Sequence, residues 1–123
     1  MNTFTWLLIG HLVGDWLLQS DWMATGKKQG LFTWAGAVHF ATYTAVIIGA
    51  LWLSGVMDKR PAFYLILSAV IIIVSHWLLD TTDIVERWMR FYRQSGPRFV
   101  SVVVDQTFHL LVLAFLTVFL FGG

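Results

Sequence analysis

The sequence predicts an all-α polytopic membrane protein: four transmembrane helices in a compact bundle, with a short interfacial amphipathic helix between the third and the fourth. Three observations carry that reading. Only 12% of the 123 residues are charged, against 58% hydrophobic, where a soluble domain carries about 25% charged residues. A soluble chain this small has too much surface to cover with so few charges. The apolar residues fall into four stretches near the length of about 20 residues that crosses a ~30 Å hydrocarbon core. Every Lys and Arg lies in a connection between those stretches. The same composition excludes a soluble monomer and a disordered chain. With no cysteine, it also excludes a disulfide scaffold, thiolate metal ligands and a cysteine nucleophile. A net charge of +1 gives no argument for nucleic acid as a partner; the expected partner is membrane lipid.

The first span covers residues 4–19. It has no basic residue before it, unlike a cleaved signal peptide, and reads as a retained helix. The second covers 33–55, the third 62–80 and the fourth 99–121. The connections are short and free of low-complexity sequence, so residues 1–123 read as one domain. Small residues recur at spacing four in the second span (Ala37, Ala41, Ala45, Gly49) and in the first (Gly10, Gly14). Such faces let helices approach closely in lipid, within one bundle or in a homo-oligomer. In the third connection Ile84, Val85, Trp88, Met89, Phe91 and Tyr92 alternate at helical spacing with Glu86, Arg87, Arg90, Arg93 and Gln94. That pattern predicts the interfacial helix, whose Arg87, Arg90 and Arg93 serve as topology anchors or as a binding site for lipid phosphate.

Basic residues also predict orientation. Six lie in or beside the first and third connections (Lys27, Lys28, Arg87, Arg90, Arg93, Arg98) and two in the second (Lys59, Arg60). The positive-inside rule then places the first and third connections in the cytoplasm and both termini outside. Lys27 and Lys28 read as topology signals.

The charges inside the spans are three aspartates, Asp15, Asp80 and Asp105, and each has a histidine four residues away: His11, His76 and His109. The fourth histidine, His39, lies in the second span. Residues at i and i+4 share a helix face. A carboxylate deep in lipid costs at least ~2.5–3.5 kcal/mol, so such groups turn inward and find partners. With alternating span directions, His11, Asp15 and Gln19, His39, His76 and Asp80, and Asp105, Gln106 and His109 all fall in the cytoplasm-directed halves. The expectation is one polar pocket, open toward the cytoplasm. His11-Leu12-Val13-Gly14-Asp15 and His76-Trp77-Leu78-Leu79-Asp80 also form a weak internal repeat.

Imidazole and carboxylate together suit Zn, Mn, Fe or Ni. Helical bundles build such sites from facing helices, and an open coordination position there activates water. His11, Asp15, His76, Asp80, Asp105 and His109 are the candidate metal ligands. His39 is a further ligand or a general base, and Gln19 and Gln106 are candidates to orient water or substrate. No G-x-S-x-G, H-E-x-x-H or phosphate-binding glycine loop is present. Ser75 next to His76 makes no nucleophile pair, because adjacent helical residues point about 100° apart. The expected function is a divalent-metal protein, in its sharpest form a metal-dependent hydrolase acting on a membrane-associated, lipid-phosphate-like substrate. A proton or divalent-cation transporter, a haem protein and a structural membrane partner are the alternatives.

The blocks His11-Leu12-Val13-Gly14-Asp15-Trp16-Leu17-Leu18-Gln19-Ser20-Asp21-Trp22-Met23-Ala24, Lys27, His39, Ser75-His76-Trp77-Leu78-Leu79-Asp80 and Asp105-Gln106…His109 run through nearly the whole chain. In them the sequence resembles a bacterial and phage family of small integral membrane proteins catalogued as a domain of unknown function. The resemblance implies four membrane helices and a bacterial or phage source, and with it a location in the bacterial inner membrane. It implies no activity and no catalytic roles.

Overall fold

A computed structural model describes residues 1–122. Their regular structure is helical throughout: α1 Thr3–Leu12, α2 Asp21–Gly26, α3 Trp34–Leu53, α4 Ala62–Thr81, α5 Ile84–Phe91 and α6 Arg98–Phe115. Widened π-helical turns prolong α1 over Val13–Leu17 and α6 over Leu116–Leu120. The starts are locally encoded. Asn2, Ser20 and Thr33 accept from the amides of Thr5, Met23 and Gly36 at the heads of α1, α2 and α3, satisfying donors that a helix leaves unpaired. Pro61 and Pro97, which lack an amide to lose, precede α4 and α6.

Among the described residues three helices, not four, are long and apolar enough to cross a membrane: Trp34–Leu53, Ala62–Thr81 and Arg98–Leu120. The expected first span falls short. α1 and its π turn cover 10 and 5 residues, about 22 Å at 1.5 Å per residue. The chain then leaves the helix at Leu18 instead of running on through Gln19. The segment still lies along α3, antiparallel to it. Gly10 faces Ala50 and Gly14 faces Tyr43, each so closely that an added Cβ would stand 3.0 Å from the neighbouring side chain. α1 therefore enters from the Trp52 end of α3 and stops at the level of Tyr43.

The Gly10/Gly14 face makes the close approach expected of it. The second small-residue face does not: Ala37, Ala41 and Ala45 are exposed, and a Cβ on Gly49 would meet nothing within 4 Å. α3 instead turns His39, Tyr43, Ile47, Ala50 and Leu51 inward, because it has to bury its histidine and its bulk together.

The two ends of the bundle differ. At the end away from α5, Leu7, Ile47, Leu51, Ile72, Leu113 and Leu116 form a fully buried apolar core. Arg60 closes that end by donating to the carbonyls of Leu120 and Phe121, at 3.0 and 2.8 Å, with its guanidinium over the rings of Tyr64 and Phe121. At the other end α5 forms over the amphipathic stretch. It buries Val85 and sets Trp88 edge-on to Phe108 of α6. The outward faces of α4 and α6 are apolar, with Phe63, Ile66, Leu111, Val118 and Phe119 exposed. Ser68, Ser75, Thr107 and Thr117 return their hydroxyls to carbonyls one turn back, which removes the need for water in an apolar surround.

Candidate metal centre

Between the apolar core and α5 the polar residues of α1, α3, α4 and α6 meet. The π turn after α1 presents Asp15, with the Leu18 amide donating to the Val13 carbonyl five residues back at 2.9 Å; π turns of this kind gather at functional sites. Gln106 of α6 fixes the carboxylate. Its Nε2 donates to Asp15 Oδ2 and Asp105 Oδ2, both at 3.1 Å, and its Oε1 accepts from His11 Nε2 at 2.6 Å and Trp16 Nε1 at 3.0 Å. The amide's two donors and two acceptor positions are thereby all used. Since His11 Nε2 is a donor, its Nδ1 accepts from the Tyr43 hydroxyl at 2.9 Å. Tyr43 also stacks on His76, with ring centroids 3.9 Å apart.

Four donor atoms converge beside this framework. His39 Nε2 and His76 Nε2 are 2.8 Å apart. His39 Nε2 lies 3.3 Å from Asp15 Oδ1 and 3.4 Å from Asp80 Oδ2; His76 Nε2 lies 3.7 and 3.2 Å from the same oxygens. All four residues are buried, and Asp15 Oδ1 has no hydrogen-bond partner. The ammonium of Lys27 enters the same space. It donates to Asp80 Oδ2 at 2.5 Å and stands 3.3 Å from His39 Nε2 and 3.7 Å from Asp15 Oδ1. Two buried carboxylates thus face one lysine, and with neutral imidazoles the donor set carries one more negative charge than Lys27 balances. Nitrogen and oxygen donors in such an arrangement fit a divalent cation.

A second group adjoins the first. Asp80, Asp105 and His109 also bring ligand atoms within 4.8 Å of one another. His109 Nε2 is 3.4 Å from Asp80 Oδ1, the oxygen that faces away from His39 and His76. The centre is approached through a cleft lined by Lys28, Asp80, Thr82, Asp83, Glu86 and Asp105. Toward the opposite end, the buried leucines and isoleucines of the apolar core stand over it.

Asp15, His76, Asp80, Asp105 and His109 lie in the two groups, and His39 joins the first of them as a converging donor. His11 lies outside both, with each ring nitrogen in a hydrogen bond. Gln106 orients two carboxylates. Gln19 stands past the end of the π turn, and its buried Oε1 finds no partner. The arginines of α5 are not brought to the cluster. Arg87 and Arg90 are 71% and 72% exposed and pair with Asp83 at 2.9 and 3.7 Å, Arg93 is exposed, and the basic residue on the cleft is Lys28. The Arg87 guanidinium holds the Asp83 carboxyl below the usual carboxylate range.

Two residues of the site were not among the expected ones. Lys27, read as a topology signal, is 6% exposed. Its signal is charge balance: three aspartates within apolar stretches need a cation, and Lys27 is the first lysine after Asp15. Tyr43 follows His39 by four residues, as an aspartate stands four from each of the other three histidines.

No curated protein and no solved structure matches the chain. A family model described as "Protein of unknown function (DUF3307)" matches residues 3–122, and the chain belongs to that family.

Proposed function

We propose that the chain is an integral membrane protein that holds a divalent metal ion at this cluster and uses it as a hydrolase on a membrane-associated, phosphate-bearing substrate. The carrying observation is the convergence of His39 Nε2, His76 Nε2, Asp15 Oδ1 and Asp80 Oδ2, every pair cited above within 3.7 Å, in a buried setting with a carboxylate in excess. A divalent ion held at these residues would polarise a phosphate ester and, at a position left open toward the cleft, would lower the pKa of bound water from about 15.7 to about 7. Hydrolysis there would form a P–O bond from water and break the ester P–O bond, with the proton given up by the water passing to the leaving oxygen. Lys28 on the cleft is the side chain here that would meet the phosphate. The positive-inside rule puts the cleft on the cytoplasmic side.

Transport is the competing reading. The cleft's acidic lining would draw cations in, but the apolar core beyond the cluster offers no polar exit within one chain. A haem protein is disfavoured by aspartates beside the histidines, which suit a small ion better than a macrocycle.

Elemental analysis and an absorption spectrum of the detergent-purified full chain test the metal. Stoichiometric Zn, Mn, Fe or Ni that is lost in His76→Ala is the expected result. A Soret band, or no metal after metal-replete purification, would overturn it. Phosphate release from a phospholipid, compared with cation flux in proteoliposomes, separates hydrolase from transporter.

A further inference from the structure

The Asp80 carboxylate has two sides, and both meet histidine nitrogen. Oδ2 faces His76 at 3.2 Å and His39 at 3.4 Å; Oδ1 faces His109 Nε2 at 3.4 Å. The protonation of His109 follows from its other nitrogen. Nδ1 lies 2.9 Å from the Asp105 backbone carbonyl. A carbonyl oxygen only accepts, so Nδ1 carries the hydrogen, and the neutral ring then presents a lone pair at Nε2. His109 is 2% exposed, and its Nε2 has no hydrogen-bond partner. A buried imidazole nitrogen without a hydrogen-bond partner therefore faces a buried carboxylate oxygen. With the ring neutral both are acceptors and repel, and a cation between them, a proton on Nε2 or a metal ion, removes that repulsion. A backbone carbonyl on Nδ1 is also the usual means by which a metal-binding histidine is held in its ligating tautomer.

The two groups differ in closure. The first has four protein donors, all buried, and a framework of Gln106, His11 and Tyr43 behind it. The second has three, and its Asp105 side chain is 30% exposed on the cleft. A fourth protein donor closes a metal site, whereas three leave a position for water or substrate.

We propose that Asp80 bridges two metal positions: an inner one among Asp15, His39, His76 and Asp80 Oδ2, and an outer one among Asp80 Oδ1, His109 and Asp105. The inner ion is the slowly exchanging one. The outer ion exchanges with the cleft and is the one that meets substrate. This inference rests on the metal reading above and adds the second ion, the bridge and the division of roles.

The test uses Mn(II) as probe on the detergent-solubilised full chain, with equilibrium dialysis for stoichiometry and electron paramagnetic resonance for coupling. Two ions per chain are expected, the first giving an isolated Mn(II) signal that becomes exchange-coupled as the second binds. In His109→Gln and in Asp105→Asn the stoichiometry falls to one, and the isolated signal persists at saturation. Asp105 is partly exposed, so its variant guards against a folding defect at His109, and thermal melting of both variants is measured alongside. One ion in the unsubstituted chain, two in either variant, or two without coupling would overturn the bridged pair while leaving a metal centre in place. No Mn(II), Zn(II) or other metal bound would overturn both readings together.

Discussion

Lys27 places its ammonium 2.5 Å from Asp80 and 3.7 Å from Asp15, in the space that an ion held by His39, His76 and those two carboxylates would take. Removing one partner of a buried ion pair leaves its charge uncompensated, at about 3–5 kcal/mol. Lys27→Met is therefore expected to lower the melting temperature of the chain in chelator, and Zn(II) or Mn(II) is expected to restore it beyond the unsubstituted protein's own gain. Circular dichroism melts with and without metal check this; equal metal-induced shifts in both proteins would show that Lys27 and the ion do not compete. Gln106 acts differently, through the carboxylates it holds. Gln106→Leu should weaken metal binding about 10–100-fold, the usual effect of losing a group that orients ligands, with stoichiometry unchanged in a dialysis titration. The pairs His76/Asp80 and Asp105/His109 were legible in the sequence because i, i+4 spacing commits two side chains to one face whatever the helix packs against. Lys27 was not, because a lysine in a connection looks like a topology signal until that connection folds back under the bundle. His11 carries the same spacing as the other histidines and still serves Gln106 and Tyr43 instead of the ion. Spacing selects a face, while the neighbour across the interface selects the role.

The helices α3, α4 and α6 were legible for an equally local reason: each is a run of about 20 apolar residues with a cap or proline before it. α1 was misjudged in length, since a π turn leaves no mark in hydropathy, and it ends the helix where Asp15 has to reach the cluster. Which small-residue face would pack was also not readable, because α3 has one face of small residues and another of His39, Tyr43 and Ile47, and burial of the second decides. The two faces predict opposite outcomes for the same substitution. Gly14→Leu drives its side chain into Tyr43, where even a Cβ would stand 3.0 Å from the ring, and should destabilise the chain by several kcal/mol while loosening Asp15 beside it. Ala45→Leu lies on an exposed position and should change stability by no more than about 0.5 kcal/mol. Parallel thermal melts in one detergent decide; equal losses would mean that the α3 face is occupied. At the far end of the bundle, Arg60→Ala removes two charge-assisted hydrogen bonds to the carbonyls of Leu120 and Phe121, at the end of the π turn after α6. The expected cost is about 1–3 kcal/mol, with metal stoichiometry untouched because the clamp and the cluster occupy opposite ends.

Across the whole molecule the cluster lies on one side of the apolar core and the cleft opens on that same side, so polar access is from one face. The antiparallel run of α1 along α3 keeps the N-terminus on the Trp52 side even though α1 is too short to cross by itself, and the Lys/Arg asymmetry predicts a cytoplasmic position for the cleft side. The absence of cysteine makes this directly measurable, since any introduced thiol reports without background. Lys28→Cys at the cleft and Arg90→Cys on α5 should react with a membrane-impermeant maleimide in inside-out vesicles and stay unlabelled in right-side-out ones. Lys59→Cys, in the connection between α3 and α4, should show the reverse. Thr117→Cys, in the π turn after α6 and buried against the core, should react in neither until detergent or denaturant opens the bundle. Labelling of positions 28 and 59 from the same side would overturn the arrangement of the spans. Labelling of position 117 from the side of position 59 would reveal a polar route through the apolar end, and the cluster would then be a station on a cation pathway instead of a site worked from one face.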